Sequence, residues 1–237
     1  MKLNPDIQAV LDTAKQDFEK IKNEYQKSLQ DEEISSSLRI SIKNCLENIR
    51  SSLDYLGYQI SEENCPKNNS KIYFPIFFND KQSFDKFMTK TYPNLDSNNS
   101  KLYSKIESIQ YYINPSENEW MKDLVTLVNE NKHRKLTPQT RTQRKQLNIS
   151  SGGAGISLGG GASIKLGGGA SIRMGGKTIY GGQTISPDNP FIHADPGLNV
   201  KRTIWVDFKF DELKKSVLLT ITKIVNGVQQ TVDEFKN

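Results

Sequence analysis

One short stretch of this chain concentrates groups that can move protons and hold phosphates: Asn129-Glu130-Asn131-Lys132-His133-Arg134. Histidine gives or takes a proton near neutral pH, and flanking cations can hold a phosphoryl group while it does so. Asn129 and His133 are four apart, so they share one face if the preceding helix extends that far. This residue set suits metal-free RNA cleavage. That reaction needs a base for the 2′-hydroxyl, an acid for the leaving oxygen and cations for the phosphoryl charge. His133 can be acid or base, Asn129 can orient it or bond the phosphate, and Arg134 or Arg50 can clamp a phosphate bidentately. Lys132, Lys135, Arg141, Arg144 and Lys145 would then follow the nucleic-acid backbone, making binding strongly salt-dependent. A plainer reading stands beside this one. Histidine, lysine and arginine at a helix C-terminus are favourable through the helix dipole alone.

The charge distribution agrees with an anionic partner. Residues 1–131 hold 16 Lys/Arg and 20 Asp/Glu, residues 132–206 hold 11 and 2, and residues 207–237 hold 5 of each. A net charge of +5 therefore hides a basic middle on a slightly acidic body. A solvated basic loop would give the same pattern.

The elements that must position these residues are legible. Asn4 and Pro5 start a helix with apolar residues Ile7, Val10, Leu11, Ala14, Phe18, Ile21, Tyr25 and Leu29 at three- and four-residue spacing. Acidic Asp31-Glu32-Glu33 precedes a second helix, striped by Ile34, Leu38, Ile42, Cys45, Leu46, Ile49, Leu53, Leu56 and Ile60. Two such helices should pack antiparallel. Beside the second stripe runs a polar row, Arg39, Lys43, Glu47, Arg50 and Asp54. Arg50 and Asp54 could pair there, on a solvated face or in a groove against the helix carrying His133.

Residues 72–78 are too apolar for an exposed loop, and Pro75 keeps them extended over the bundle. A short helix is expected over Ser83–Thr91, then a polar loop over Asn94–Ser100. Another helix should run through Leu102, Ile106, Ile109 and Tyr112 until Pro115. Ser116 and Glu119 make a capping-box signature for a helix with Trp120, Leu124, Leu127 and Val128 inward.

Residues 152–175 repeat an octapeptide in which Ile and Leu or Met alternate with Ser, Lys or Arg between glycine turns. This predicts strands with Ile156, Leu158, Ile164, Leu166, Ile172 and Met174 on one side. Ser163, Lys165, Ser171 and Arg173 should face the other way, with Lys165, Arg173 and Lys177 adding to a basic surface. The glycines do not make a phosphate-binding loop, since the pattern lacks its first glycine. A strand follows with Ile204, Val206, Phe208 and Phe210 on one side. A last helix capped by Asp211 carries Leu213, Val217, Ile221, Ile224, Val225, Val228, Val232 and Phe235. His193 sits in a loop marked by Pro and Gly.

The fold class is therefore α+β: a helical bundle over 1–136, a basic glycine-rich β meander or roll over 137–210, and a C-terminal helix over 211–237 on the bundle or sheet. No apolar run approaches the length needed to cross a bilayer and no signal peptide is visible, so a cytoplasmic protein without a membrane partner is expected. Cys45 and Cys65 make no disulfide framework, and with only two histidines no metal site or cofactor is implied.

The long helices and the Asn129-x-x-x-His133 helix end resemble the HEPN superfamily over residues 1–136. The motif there is Arg, a polar residue, a few residues and His on one helix. Asn129 and His133 match the polar residue and the histidine. The preceding position is Val128 rather than arginine, so Arg134 or Arg50 would have to substitute. The Arg39…Arg50-Ser-Ser-Leu-Asp54 stretch and the Asn-x-x-Lys-His-Arg ending also resemble a group of uncharacterised bacterial proteins. The HEPN resemblance implies a metal-independent endoribonuclease of a prokaryotic toxin–antitoxin or antiphage system, acting on RNA as a homodimer with an antitoxin or defence partner. The alternative is a non-catalytic binding or assembly protein that docks a partner through the basic surface and the β extension. The repeat strands could then pair edge to edge between chains.

Overall fold

A computed structural model describes residues 2–29, 34–65, 71–133 and 136–236; within these the side chains of Lys132 and His133 are not described. The chain divides into two compact units, residues 1–140 with 208–237, and residues 141–207.

The first unit is helical. Asn4 accepts the Asp6 N–H and opens α1 (Pro5–Ser28), in which Ile7, Leu11, Ala14, Phe18, Ile21 and Tyr25 are buried and Val10, expected on the same stripe, is half-buried. Ser35 caps α2 (Ser36–Asn64) by accepting the Leu38 N–H; the acidic triplet expected to start this helix lies outside the described residues. The two helices run antiparallel. The Asn4 N–H, at the start of α1, donates to Gln59 near the end of α2 at 2.8 Å, and the Cys45 thiol donates to the Ala14 carbonyl at 3.3 Å.

Residues 72–78 form a strap with Phe74, Pro75 and Ile76 buried, and the expected extended run is broken at Phe77, whose φ is +62°. Asp80 caps α3 (Lys81–Thr91), which starts two residues before the expected Ser83. A single turn, α4 (Leu95–Asn98), interrupts the expected polar loop because Leu95 is fully buried. Asn99 then caps α5 (Ser100–Ser108), which ends well before Pro115. Buried Gln110 explains the early stop. Its amide donates to the carbonyls of Ile106 and Pro75, replacing helical bonds with a tie to the strap.

In α6 (Glu119–His133), Trp120, Met121, Leu124, Leu127 and Val128 are buried. The expected capping box does not form, because Ser116 turns to Asn114 and Glu119 pairs with Lys215 at 2.9 Å.

Eight strands follow in the described residues: β1 (Gln139–Ser151), β2 (Ala154–Leu158), β3 (Ile164–Leu166), β4 (Ser171–Met174), β5 (Lys177–Tyr180), β6 (Gln183–Ile185), β7 (Asn199–Phe210) and β8 (Lys215–Ser216). The sheets have order β2-β1-β7-β8, β3-β6 and β4-β5. The octapeptide copies alternate as expected. Ile156, Leu158, Ile164, Leu166, Ile172 and Met174 join a small core with Leu147, Ile149, Ile179 and Ile185, while Ser163, Lys165, Ser171 and Arg173 are exposed. The copies do not pair with one another. β2 pairs with β1, β3 with β6 and β4 with β5, so the β4–β5 hairpin is nested inside the β3–β6 pair. Gly175 is required at one crossing. Its φ is +53°, and a Cβ there would lie 2.1 Å from the Ser151 carbonyl oxygen.

Phe208 and Phe210, at the end of β7, are buried in the helical unit, where Tyr25 meets Phe208 edge to face and its hydroxyl accepts the Phe208 N–H at 2.7 Å. Ile204, expected on the same inward row, is 43% exposed, and its neighbour Trp205 is 50% exposed. Asp211 does not cap the last helix. It accepts the Thr140 hydroxyl at 2.6 Å, and α7 (Val217–Lys236) begins six residues later. The α7 stripe from Val217 to Phe235 is buried against α1, α2 and α6. No described helix is long and apolar enough to cross a membrane.

Candidate functional site

The site is best built from Arg50 and Asp54, one turn apart on the polar side of α2. Arg50 Nη2 lies 2.8 Å from Asp54 Oδ1, and Arg50 Nε donates to Asp54 Oδ2 at 3.2 Å. The pair then grips the strap. Asp54 Oδ1 accepts the Phe74 N–H at 3.1 Å, and Arg50 Nη2 donates to the Phe74 carbonyl at 3.1 Å. One ion pair therefore satisfies both backbone polar groups of a buried residue.

Gly57, one turn further along α2, completes the seat. A Cβ there would stand 2.7 Å from the Tyr92 hydroxyl and 2.8 Å from the Phe74 nitrogen. Tyr92, itself buried, donates to the Tyr73 carbonyl at 2.8 Å. Burial pushes the Tyr92 phenol well above its ordinary pKa, so it remains a donor at neutral pH.

The seated strap leaves a cleft of about 330 Å³, lined by Arg50 and Asp54 of α2, the strap, Phe87 of α3, and Val125, Val128 and Asn129 of α6. Asn129 is exposed at its rim. The structure thus brings together three residues singled out in the sequence, Arg50, Asp54 and Asn129, in the groove against α6 that the polar row of α2 allowed. His133 follows one turn later on α6, its side chain outside the described residues together with that of Lys132; Arg134 and Lys135 are outside altogether. Val128, where the HEPN motif has arginine, is buried at 4% exposure, so this position belongs to the core side of α6.

Two of the expected residues have protein partners in this geometry. Arg50 is engaged by Asp54 and Phe74, and its Nη1 is buried without a hydrogen-bond partner among the described residues, so it serves the strap before any phosphate. Lys145 is paired with Asp188 at 2.5 Å, and this hydrogen bond holds the Asp188 carboxyl below its ordinary pKa. Arg141, Arg144 and Lys145 belong to the second unit, whereas Arg50 and Asn129 belong to the first. Arg144 is exposed and Arg141 half-buried.

The aromatic lining, Tyr73, Phe78 and Phe87, lies outside the expected site; the apolar run 72–78 signals the first two, and Phe87 comes from α3. Among the described residues no three of His, Cys, Asp and Glu converge as metal ligands, and Cys45 and Cys65 are both free and buried. The chain matches no protein-family model, no curated protein and no solved structure.

Proposed function

We propose that this chain is an RNA-directed, HEPN-like module of a prokaryotic toxin or antiphage defence system, working in the cytoplasm as a metal-independent endoribonuclease. The observation that carries this reading is the position of Asn129, exposed at the rim of the α2–strap cleft and one turn before His133 on α6.

In the reaction proposed, His133 takes the 2′-hydroxyl proton and the 2′-oxygen attacks the adjacent phosphorus. The 5′-oxygen leaves with a proton, giving a 2′,3′-cyclic phosphate and a 5′-hydroxyl. Asn129 orients the imidazole or donates to a phosphoryl oxygen. Arg134 supplies the bidentate guanidinium, since Arg50 is committed to Asp54 and Phe74. Tyr73, Phe78 and Phe87 give an unstacked base an aromatic wall beside the scissile phosphate. One histidine per chain serves this end of α6, so a homodimer would supply the second proton-transfer group. An antitoxin or another defence partner would restrain the activity.

The test is incubation of wild-type and His133→Ala protein with total RNA in excess EDTA, with fragments resolved on a gel. Cleavage by the wild type alone supports the assignment. Equal cleavage by both, or none by either with the fold intact, rejects His133 as the catalytic group. The second outcome favours the other reading, a non-catalytic binding or assembly protein. One observation supports that rival: Phe191 and Trp205 of the second unit are 84% and 50% exposed.

A further inference from the structure

The second unit carries a face that the cleft does not use. In the β4–β5 hairpin, Arg173 lies opposite Thr178 and Ser171 opposite Tyr180. Directly opposed side chains share a face, so these four stand on one side while Ile172 and Ile179 fill the core on the other. Residues 193–195 run along the free edge of β5. The Tyr180 N–H donates to the His193 carbonyl at 3.0 Å, the Asp195 N–H donates to the Thr178 carbonyl at 2.9 Å, and Ile179 pairs with Ala194. His193 therefore stands beside Tyr180, and Asp195 beside Thr178, on the same outward face.

That face is held in place. The Tyr180 and His193 rings lie 5.0 Å apart at 39°. Tyr180 donates its hydroxyl to Asp195 Oδ1 at 2.5 Å, and Asp195 Oδ2 accepts the Thr178 N–H at 2.8 Å. The Gln183 amide accepts the His193 N–H and donates to the carbonyls of His193 and Tyr180. The Tyr180 ring is thus fixed through its hydroxyl and the backbone under the His193 ring is held by Gln183, with Arg173 exposed on the next strand.

The surrounding charge selects the kind of partner. Residues 141–207 hold eight Lys/Arg and three Asp/Glu. Asp188 pairs with Lys145, which leaves seven cations against Asp195 and Asp207. Hydrogen bonds from Tyr180 and Thr178 hold the Asp195 carboxyl below its ordinary pKa, so it stays negative beside Thr178 and fixes the face rather than joining the anion contact. Fixed aromatic faces amid excess cations match a single-stranded polyanion with π-faces of its own.

We infer that this outward face binds single-stranded nucleic acid, with bases stacking on Tyr180 and His193 and a backbone phosphate meeting Arg173. The face stands independently of the catalytic assignment to His133; only the choice of RNA as target rests on that reading.

Fluorescence anisotropy of the intact chain tests this, using labelled oligothymidine DNA and 2′-O-methyl oligouridine RNA, which lacks the 2′-hydroxyl that cleavage would need. His193 joins the frame through its backbone N–H and carbonyl, so His193→Ala removes a stacking surface and leaves the frame. It should weaken binding about tenfold, the scale of one lost base–aromatic stack. Tyr180→Phe keeps the ring but releases Asp195, so it should bind more weakly than the wild type and better than Tyr180→Leu, which loses the ring as well. Arg173→Ala should lower the salt slope by about one phosphate contact. Wild-type affinity in His193→Ala and Tyr180→Leu with unchanged circular dichroism, or no binding by the wild type, overturns the proposal. Equal binding of RNA and DNA keeps the face but unties it from RNA. A chain that never cleaves RNA yet loses binding with His193→Ala keeps this face and removes only the role of His133.

Discussion

Asp54 holds Arg50 and the Phe74 N–H at once, with side-chain exposures of 25% for Asp54 and 14% for Arg50. Asp54→Ala would orphan a largely buried guanidinium and a backbone donor together. It should cost about 2–4 kcal/mol, toward the lower part of the range for broken buried pairs because both groups retain some solvent. Asn129→Ala, at the exposed rim, should change stability by less than about 0.5 kcal/mol. Urea titrations of the two variants check this, and comparable losses in both would refute the division into anchor and functional residue. The sequence made the Arg50–Asp54 pairing legible through its four-residue spacing. Its purpose was not legible, because the backbone it holds lies 20 residues beyond Asp54. Gly57 was equally silent. A lone helical glycine states only that something approaches closely, never what.

At the scale of elements, apolar periodicity located the long helices, since each buries one continuous stripe and the stripe repeats with the helix. It failed where polar side chains decide an end. The last helix was expected from Asp211, yet Lys214 takes φ +56° and Lys215 turns back to meet Glu119 at 2.9 Å and Asp123 at 2.8 Å. Burial opposes the charge on Lys215, but its hydrogen bonds to Asp123 and Glu119 prevail and raise its pKa. Those bonds also lower the Glu119 carboxyl. The Asp123 side chain is only 3% exposed, so Lys215 is the cation that makes a buried carboxylate tolerable between α6 and the start of α7. Lys215→Met should cost about 3 kcal/mol by leaving that charge unpaired, and adding Asp123→Leu should recover most of the loss. Thermal melts of the single and double variants give the answer. A double variant less stable than Lys215→Met would show that the pair contributes more than mutual neutralisation. Pairing among the β strands escaped the sequence for a related reason: the alternation of the octapeptides fixes which side faces the core, but three near-identical copies leave their partners undetermined.

For the whole molecule, the titrating groups predict an asymmetric response to pH. Burial raises the Cys45 thiol from 9.0 to about 12, and burial also raises the phenols of Tyr92, Tyr103 and Tyr112. Hydrogen bonds to Asp85 and Glu107 add to the effect at Tyr103 and Tyr112. Each of these groups is neutral when protonated and keeps its proton more tightly in the folded state. As pH rises the unfolded chain releases protons first, so their contribution is complete below about pH 9 and disappears progressively above it. The acid limb has the opposite sign. A hydrogen bond from Tyr103 lowers Asp85, bonds from Lys215 lower Glu119, and a bond from Lys236 lowers Asp233. These carboxyls stabilise the fold above their unfolded pKa values and stop doing so as pH falls through the lower folded ones. Asp85, Glu119 and Asp233 keep side-chain exposures of 43%, 44% and 51%, so solvent screens their pairs and the acid limb should be shallow. Tyr92 and Cys45 lie in the core, whereas Tyr103 and Tyr112 are half-buried against it, so the alkaline limb should rest mainly on the first two and exceed the acid limb. Urea midpoints should hold through neutrality, decline modestly below about pH 4 and fall above about pH 9. The tyrosinate absorbance owed to buried Tyr92, taken as the difference from Tyr92→Phe, should rise together with the loss of helix. A Tyr92 phenol that ionises well before the helices melt would place it outside the core that seats the strap.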